Sequence, residues 1–193
     1  MKQKLLDGYS QMREDIAIAK DDRLKDIWLY IRDYMEEVPK EFFLNHIKEM
    51  ILDSLEETYS ITSAAARELY GIKSERLQDG EIEDLMYSAD GKDLYDRLEE
   101  HYNKAIQRED VTEYFRNRVI LIVDTETLTV SNAVLHSKVN RKARFCEIFH
   151  PEDDCCDGEC EYWITKGKMP IEELSELPPF HPDCECEVIY YFE

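Results

Sequence analysis

From Leu5 onward, apolar side chains return every third or fourth residue: Leu5, Tyr9, Met12 and Ile16, then Leu24, Ile27, Trp28, Ile31, Tyr34 and Met35. That spacing lays them along one stripe of an α-helix, and so long a stripe has to be covered by other helices. Val38-Pro39 ends the first helix, because proline disfavours helical geometry in the residue before it. A second helix is expected from about Lys40 to Tyr70, with Phe43, His46, Ile47, Met50, Ile51 and Leu55 inward, a break near Ser60 to Ser63, and Gly71 as its C-terminal cap. Glu81 to Ile106 repeats the pattern through Ile82, Leu85, Met86, Leu94, Tyr95, Leu98 and Tyr102, with an interruption at Asp90-Gly91. Two shorter helices are expected next, one capped by Asp110 and passing through Val111, Tyr114, Phe115 and Val119, the other over Asp124 to Val139. The run VILIV, Val119 to Val123, is read as helix because no turn chemistry precedes it.

The pattern changes after Lys142. Arg144 to Phe149 and Cys186 to Phe192 read as short strands, the second rich in β-branched and aromatic residues. Between them lies loop-rich sequence with few large aliphatics. The expected fold is α+β and predominantly helical, with long N-terminal amphipathic helices as a body over residues 1–139 and a small β-rich, Cys/His-stabilised knob over residues 140–193. About fifty residues of this kind bury little apolar surface, and such modules usually depend on a metal or cross-links.

All six cysteines fall between Cys146 and Cys186. The N-terminus lacks the apolar core of a signal peptide, and no run is read as a membrane span, so the expected setting is a reducing cytoplasm in which clustered cysteines serve as metal ligands more often than as disulfides. A structural zinc site takes four ligands, commonly delivered as two close pairs. Cys156 and Cys160 flank Asp157-Gly158 and form a first pair, with Cys155 as a substitute for Cys156. His181, Cys184 and Cys186, in PPFHPDCEC, supply the second, after twenty intervening residues. The candidate ligands for zinc are therefore Cys156, Cys160, His181, Cys184 and Cys186, with disulfide pairing as the alternative. Cys146, alone in a strand, reads as a buried apolar residue.

The formal net charge of −20 argues against nucleic acid as the main ligand, since such binding rests on Lys and Arg neutralising phosphates. An acidic body is better matched to a basic protein surface. The one compact basic run, SKVNRKAR from Ser137 to Arg144, is read as a solvated linker. There is no G-x-S-x-G, P-loop or H-E-x-x-H pattern, so no enzymatic activity is expected. The nearest enzymatic alternative is a zinc deaminase, whose H-x-E and P-C-x-x-C segments have only distorted counterparts in His150-Pro151-Glu152 and Pro182-Asp183-Cys184-Glu185-Cys186. A further alternative is an acidic host adaptor protein.

One resemblance draws these features together. A helical body, then Asp124-Thr125-Glu126-Thr127 with Asn132-Ala133, then a cysteine pair, an apolar spacer and PPFHPDCEC, resembles the Mu F-like head morphogenesis proteins, minor capsid proteins of tailed phages. Members typically end in a proline-braced H-P-N-C-R-C and carry a T-E-T-like stretch followed by an asparagine. The resemblance covers roughly residues 60 to 192. It implies a virion component, made in the host bacterial cytoplasm and present in multiple copies, that associates with portal or major capsid protein and acts in head assembly or genome packaging and delivery. Asp183 and Glu185 stand where the family tends to carry asparagine and arginine, which leaves at most incidental contact with packaged DNA.

Overall fold

The structure is a computed structural model that describes residues 2–72, 82, 86, 92–150, 159–181 and 184–192. Three long helices carry it: α1 (Lys2–Tyr34), α2 (Lys40–Tyr70) and α4 (Val111–Val139), with the shorter α3 (Leu94–Ala105) against α2 and α4. Pro39 separates α1 from α2. Gly71 ends α2 in the left-handed region (φ 65°), and its amide donates to the Arg67 carbonyl, as the sequence predicts. The α1 stripe is buried at Leu5, Tyr9, Met12, Ile16, Ile27 and Ile31, and Met35 just past the helix end is buried too. At Gly8 a Cβ would stand 2.2 Å from a methyl of Leu69, whose side chain would have to move aside.

Several expectations are corrected. Residues 60–63 contain no break: Thr62 and Ser63 are buried inside a continuous helix, and the Thr62 hydroxyl donates to Ser131 on α4 (3.3 Å). The two short helices are one, α4, because Asp124 and Glu126 are bound by Lys20 and Arg97 instead of opening a new helix. Asp110 precedes α4 without capping it through its side chain, which instead accepts from Arg108. His46 faces outward beside Tyr30 and Glu49. The Ser137 to Arg144 run is no free linker: it ends α4, Val139 and Ala143 are buried, and the Arg144 amide donates to the Tyr191 carbonyl. As one helix, Val111–Val139 is also long and apolar enough by composition to cross a membrane, although it lies within the bundle with a buried acid, Glu126, paired to Arg97. The Asp90-Gly91 interruption lies outside the described residues.

The C-terminal part forms a three-stranded antiparallel sheet in the order β2-β1-β3, with β1 Phe145–Phe149, β2 Met169–Pro170 and β3 Glu187–Tyr191. Between β1 and β2 the sequence reading expects only loop. The structure has a short helix there, α5 (Glu159–Lys166). Cys146 and Ile148 pair with Tyr190 and Val188 and point into the core.

Among the described residues there are two apolar cores. The distal one joins Ile27, Ile31, Phe43, Ile47, Ile51, Leu98, Phe115 and Val119, all from helices. The proximal one joins Tyr9, Met12, Ala66, Tyr70, Leu135 and Val139 to Cys146, Trp163, Val188 and Tyr190, so it crosses the expected 139/140 boundary.

β3 is an edge strand, and every one of its residues is buried. An edge leaves a row of backbone donors and acceptors that burial would strand. Here three helices supply the partners. Asn132 of α4 donates to the Cys186 carbonyl (3.1 Å) and accepts from the Val188 amide (3.3 Å). Tyr9 of α1 donates to the Val188 carbonyl (2.6 Å), and Tyr70 of α2 accepts from the Tyr190 amide (3.2 Å). Tyr9 and Tyr70 hydroxyls meet at 2.9 Å, and His136 Nδ1 meets the Tyr190 hydroxyl at 3.0 Å.

Candidate metal centre

Cys160 stands in the first turn of α5, and Trp163, three residues on, lies on the same side of the helix. Trp163 is buried and stacks on Phe180, with ring centroids 6.0 Å apart and planes 13° from parallel. That stack ties α5 to the segment leading into His181. The Cys184 amide donates to the His181 carbonyl (3.2 Å).

These two local structures bring three ligand atoms together. Cys160 Sγ is 3.1 Å from His181 Nε2 and 3.6 Å from Cys184 Sγ, and all three atoms lie within 4.8 Å of one another. A tetrahedral zinc with Zn–S of about 2.3 Å and Zn–N of about 2.0–2.1 Å sets S···S edges near 3.8 Å and S···N edges near 3.5 Å. The two separations from Cys160 Sγ match those edges to within about 0.4 Å. Cys160 and Cys184 are buried and His181 is half-buried, so the group can hold a metal ion away from bulk water.

Cys186 is fully buried, and its thiol is hydrogen-bonded to those of Cys184 and Cys160. The hydrogen bond from Cys186 holds the Cys184 thiol well below the usual range, while the same bond, together with burial, pushes Cys186 up. Crowded thiols of this kind favour a thiolate that a cation would stabilise. Of the five ligands expected from sequence, Cys160, His181 and Cys184 converge, and Cys186 adjoins them. Cys156, and Cys155 with it, lie outside the described residues, as do Pro151 and Glu152 of the deaminase-like segment. Cys146 is buried in the sheet as expected, and burial pushes its thiol up to about 11.

The residues around the cluster explain how it is held. Asn132 grips the Cys186 carbonyl directly. Glu187, the next residue, is buried with its carboxylate 3.3 Å from Arg13, and burial pushes it up to about 7 against the pull of that guanidinium. A cavity of about 340 Å³ lies between α1, α4 and residues 184–187, lined by Arg13, Lys20, Asp124, Thr127, Cys184 and Glu187. Sequence reading cites Asn132 and Glu126 only within a motif. The signal for their role was present: Glu126, Thr127, Ser131 and Asn132 are four polar residues on the buried side of an otherwise apolar helix, and buried polar groups need partners.

Comparison of the chain with protein-family models, with curated proteins and with solved structures gives no match.

Proposed function

We propose that this chain is a structural component of a tailed-phage head, a minor capsid or head morphogenesis protein, in which a zinc ion on Cys160, His181, Cys184 and Cys186 locks the C-terminal strand to a helical body. The metal would be structural: with four protein ligands no coordination position is left for substrate. One observation carries this reading. Glu126, Asn132, His181, Cys184 and Cys186, which carry the resemblance to head morphogenesis proteins, are distant in sequence yet serve one arrangement, the seating of β3 on the bundle. Asn132 binds the strand, Glu126 on the same helix pairs with Arg97 of α3, and the cluster stands where the chain enters the strand.

The partners proposed are portal and major capsid protein, met through the acidic surface that a formal net charge of −20 implies. The location proposed is the virion, after synthesis in the bacterial cytoplasm. Mass spectrometry of purified particles should find the chain in multiple copies and co-purifying with portal protein. Its absence from particles, or turnover of a nucleoside or free base by the purified chain, would overturn this reading in favour of an adaptor or an enzyme.

A further inference from the structure

The cluster has a second property that a purely structural site does not require. Its thiols are buried from bulk solvent, but Cys184 lines the cavity between α1 and α4, as do Arg13 and Lys20. A cavity of about 340 Å³ is far larger than a water-sized solute needs. Cys160 Sγ lies 3.6 Å from Cys184 Sγ, so the two sulfurs need approach by only about 1.5 Å to reach the length of a disulfide. Cys160 and Cys184 are 24 residues apart, a loop long enough to close without the strain of a bridge between neighbours.

We infer that Cys184 and Cys160 form an oxidation site: a peroxide entering through this cavity converts them to a disulfide and expels the bound metal. The Cys184 sulfur attacks one oxygen of hydrogen peroxide, the O–O bond breaks, and the products are Cys184 sulfenic acid and one water. The Cys160 thiol then attacks the sulfenic sulfur, the S–O bond breaks, and a second water leaves. Two electrons pass from the thiols to the peroxide, and no other oxidant is needed. The first half stands on the thiol geometry and the cavity. The release of metal rests on the zinc reading of the same cluster.

The test treats the purified, reduced full-length chain with hydrogen peroxide and follows two signals, the disulfide by peptide mapping and free zinc by a colorimetric chelator. The expected result is a Cys160–Cys184 bridge formed in step with release of zinc, and reversal by dithiothreitol with added zinc. Ala17 is exposed and lines the same cavity, and Ala17→Trp should narrow the entrance, slowing bridge formation about tenfold while leaving zinc content unchanged. A bridge between Cys184 and Cys186, oxidation that stops at sulfinic acid, or no reaction would overturn the proposal, and an unchanged rate in Ala17→Trp would overturn the route. If the reduced chain holds no zinc, the metal reading falls, and the mapped bridge alone then decides this one.

Discussion

The two ends of the helical bundle are held by different forces. Around Phe43 and Phe115 the contacts are apolar side chains between helices, with aromatic rings 5.8–5.9 Å apart among Phe43, Tyr102 and Phe115. Around β3 the strand is held by directed groups: an asparagine, two tyrosines and a cluster of thiols and imidazole. Apolar contact is non-directional and tolerates adjustment, whereas each buried hydrogen bond or ligand counts fully only when its geometry is met. The distal end should therefore respond to changes of volume, and the proximal end to changes of chemistry.

The largest separation of the two should come from chelation. Structural zinc is worth on the order of 10 kcal/mol in small peptides, so stripping the metal should release β1, β2 and β3 while α1 to α4 keep their distal core. Hydrogen exchange would show amides of residues 145–149 and 187–191 losing protection while those near Phe43 and Phe115 keep it. Uniform loss at both ends would break the comparison. The converse change is Phe115→Ala, which removes a fully buried ring and should cost about 3–5 kcal/mol in denaturant unfolding while zinc stoichiometry stays the same.

Asn132→Ala comes next. It strands the Cys186 carbonyl and the Val188 amide, each worth about 1–3 kcal/mol when left unpaired, giving a loss of about 2–6 kcal/mol concentrated in exchange at β3. Asn132→Asp sets an acceptor-only carboxylate against the Cys186 carbonyl in a buried site, and should cost at least as much as alanine.

The smallest effect is a pH dependence. Burial lowers the affinity of His136 for a proton, so its folded pKa lies below the unfolded value. The unfolded chain then binds more protons below about pH 6.5, and the stability contributed at His136 is complete above that pH and lost as pH falls through the folded value. His136→Gln should flatten that part of the profile, read as the difference in melting temperature between variant and wild type from pH 7.5 to 5.5. An identical slope would show that burial does not hold the His136 imidazole neutral.

How far these regions could be read from sequence follows the same division. The distal core is a matter of spacing, and Ile27, Ile31, Phe43, Ile47 and Ile51 are legible from their three-to-four recurrence. The errors fall where polar residues enter a helix. Ser60 to Ser63 look like a break, and Asp124 to Thr127 like a new start, because such residues compete locally with helical hydrogen bonding. Packing overrides that preference, since Thr62 finds Ser131, Asp124 finds Lys20 and Glu126 finds Arg97 across the bundle. No local pattern announces those partners. At the cluster, residue type and spacing point to His181, Cys184 and Cys160. The helix that presents Cys160 is only eight residues long, too short for periodicity to reveal, and its docking through Trp163 on Phe180 is visible only in three dimensions.

The central claim is that the cluster holds the C-terminal strand in place through a bound metal. Elemental analysis of the reduced, purified chain tests it most directly, comparing wild type with Cys184→Ser. The account predicts about one zinc per chain in wild type and a clear loss in the variant. Metal-free wild type that keeps β3 protected from exchange would contradict it.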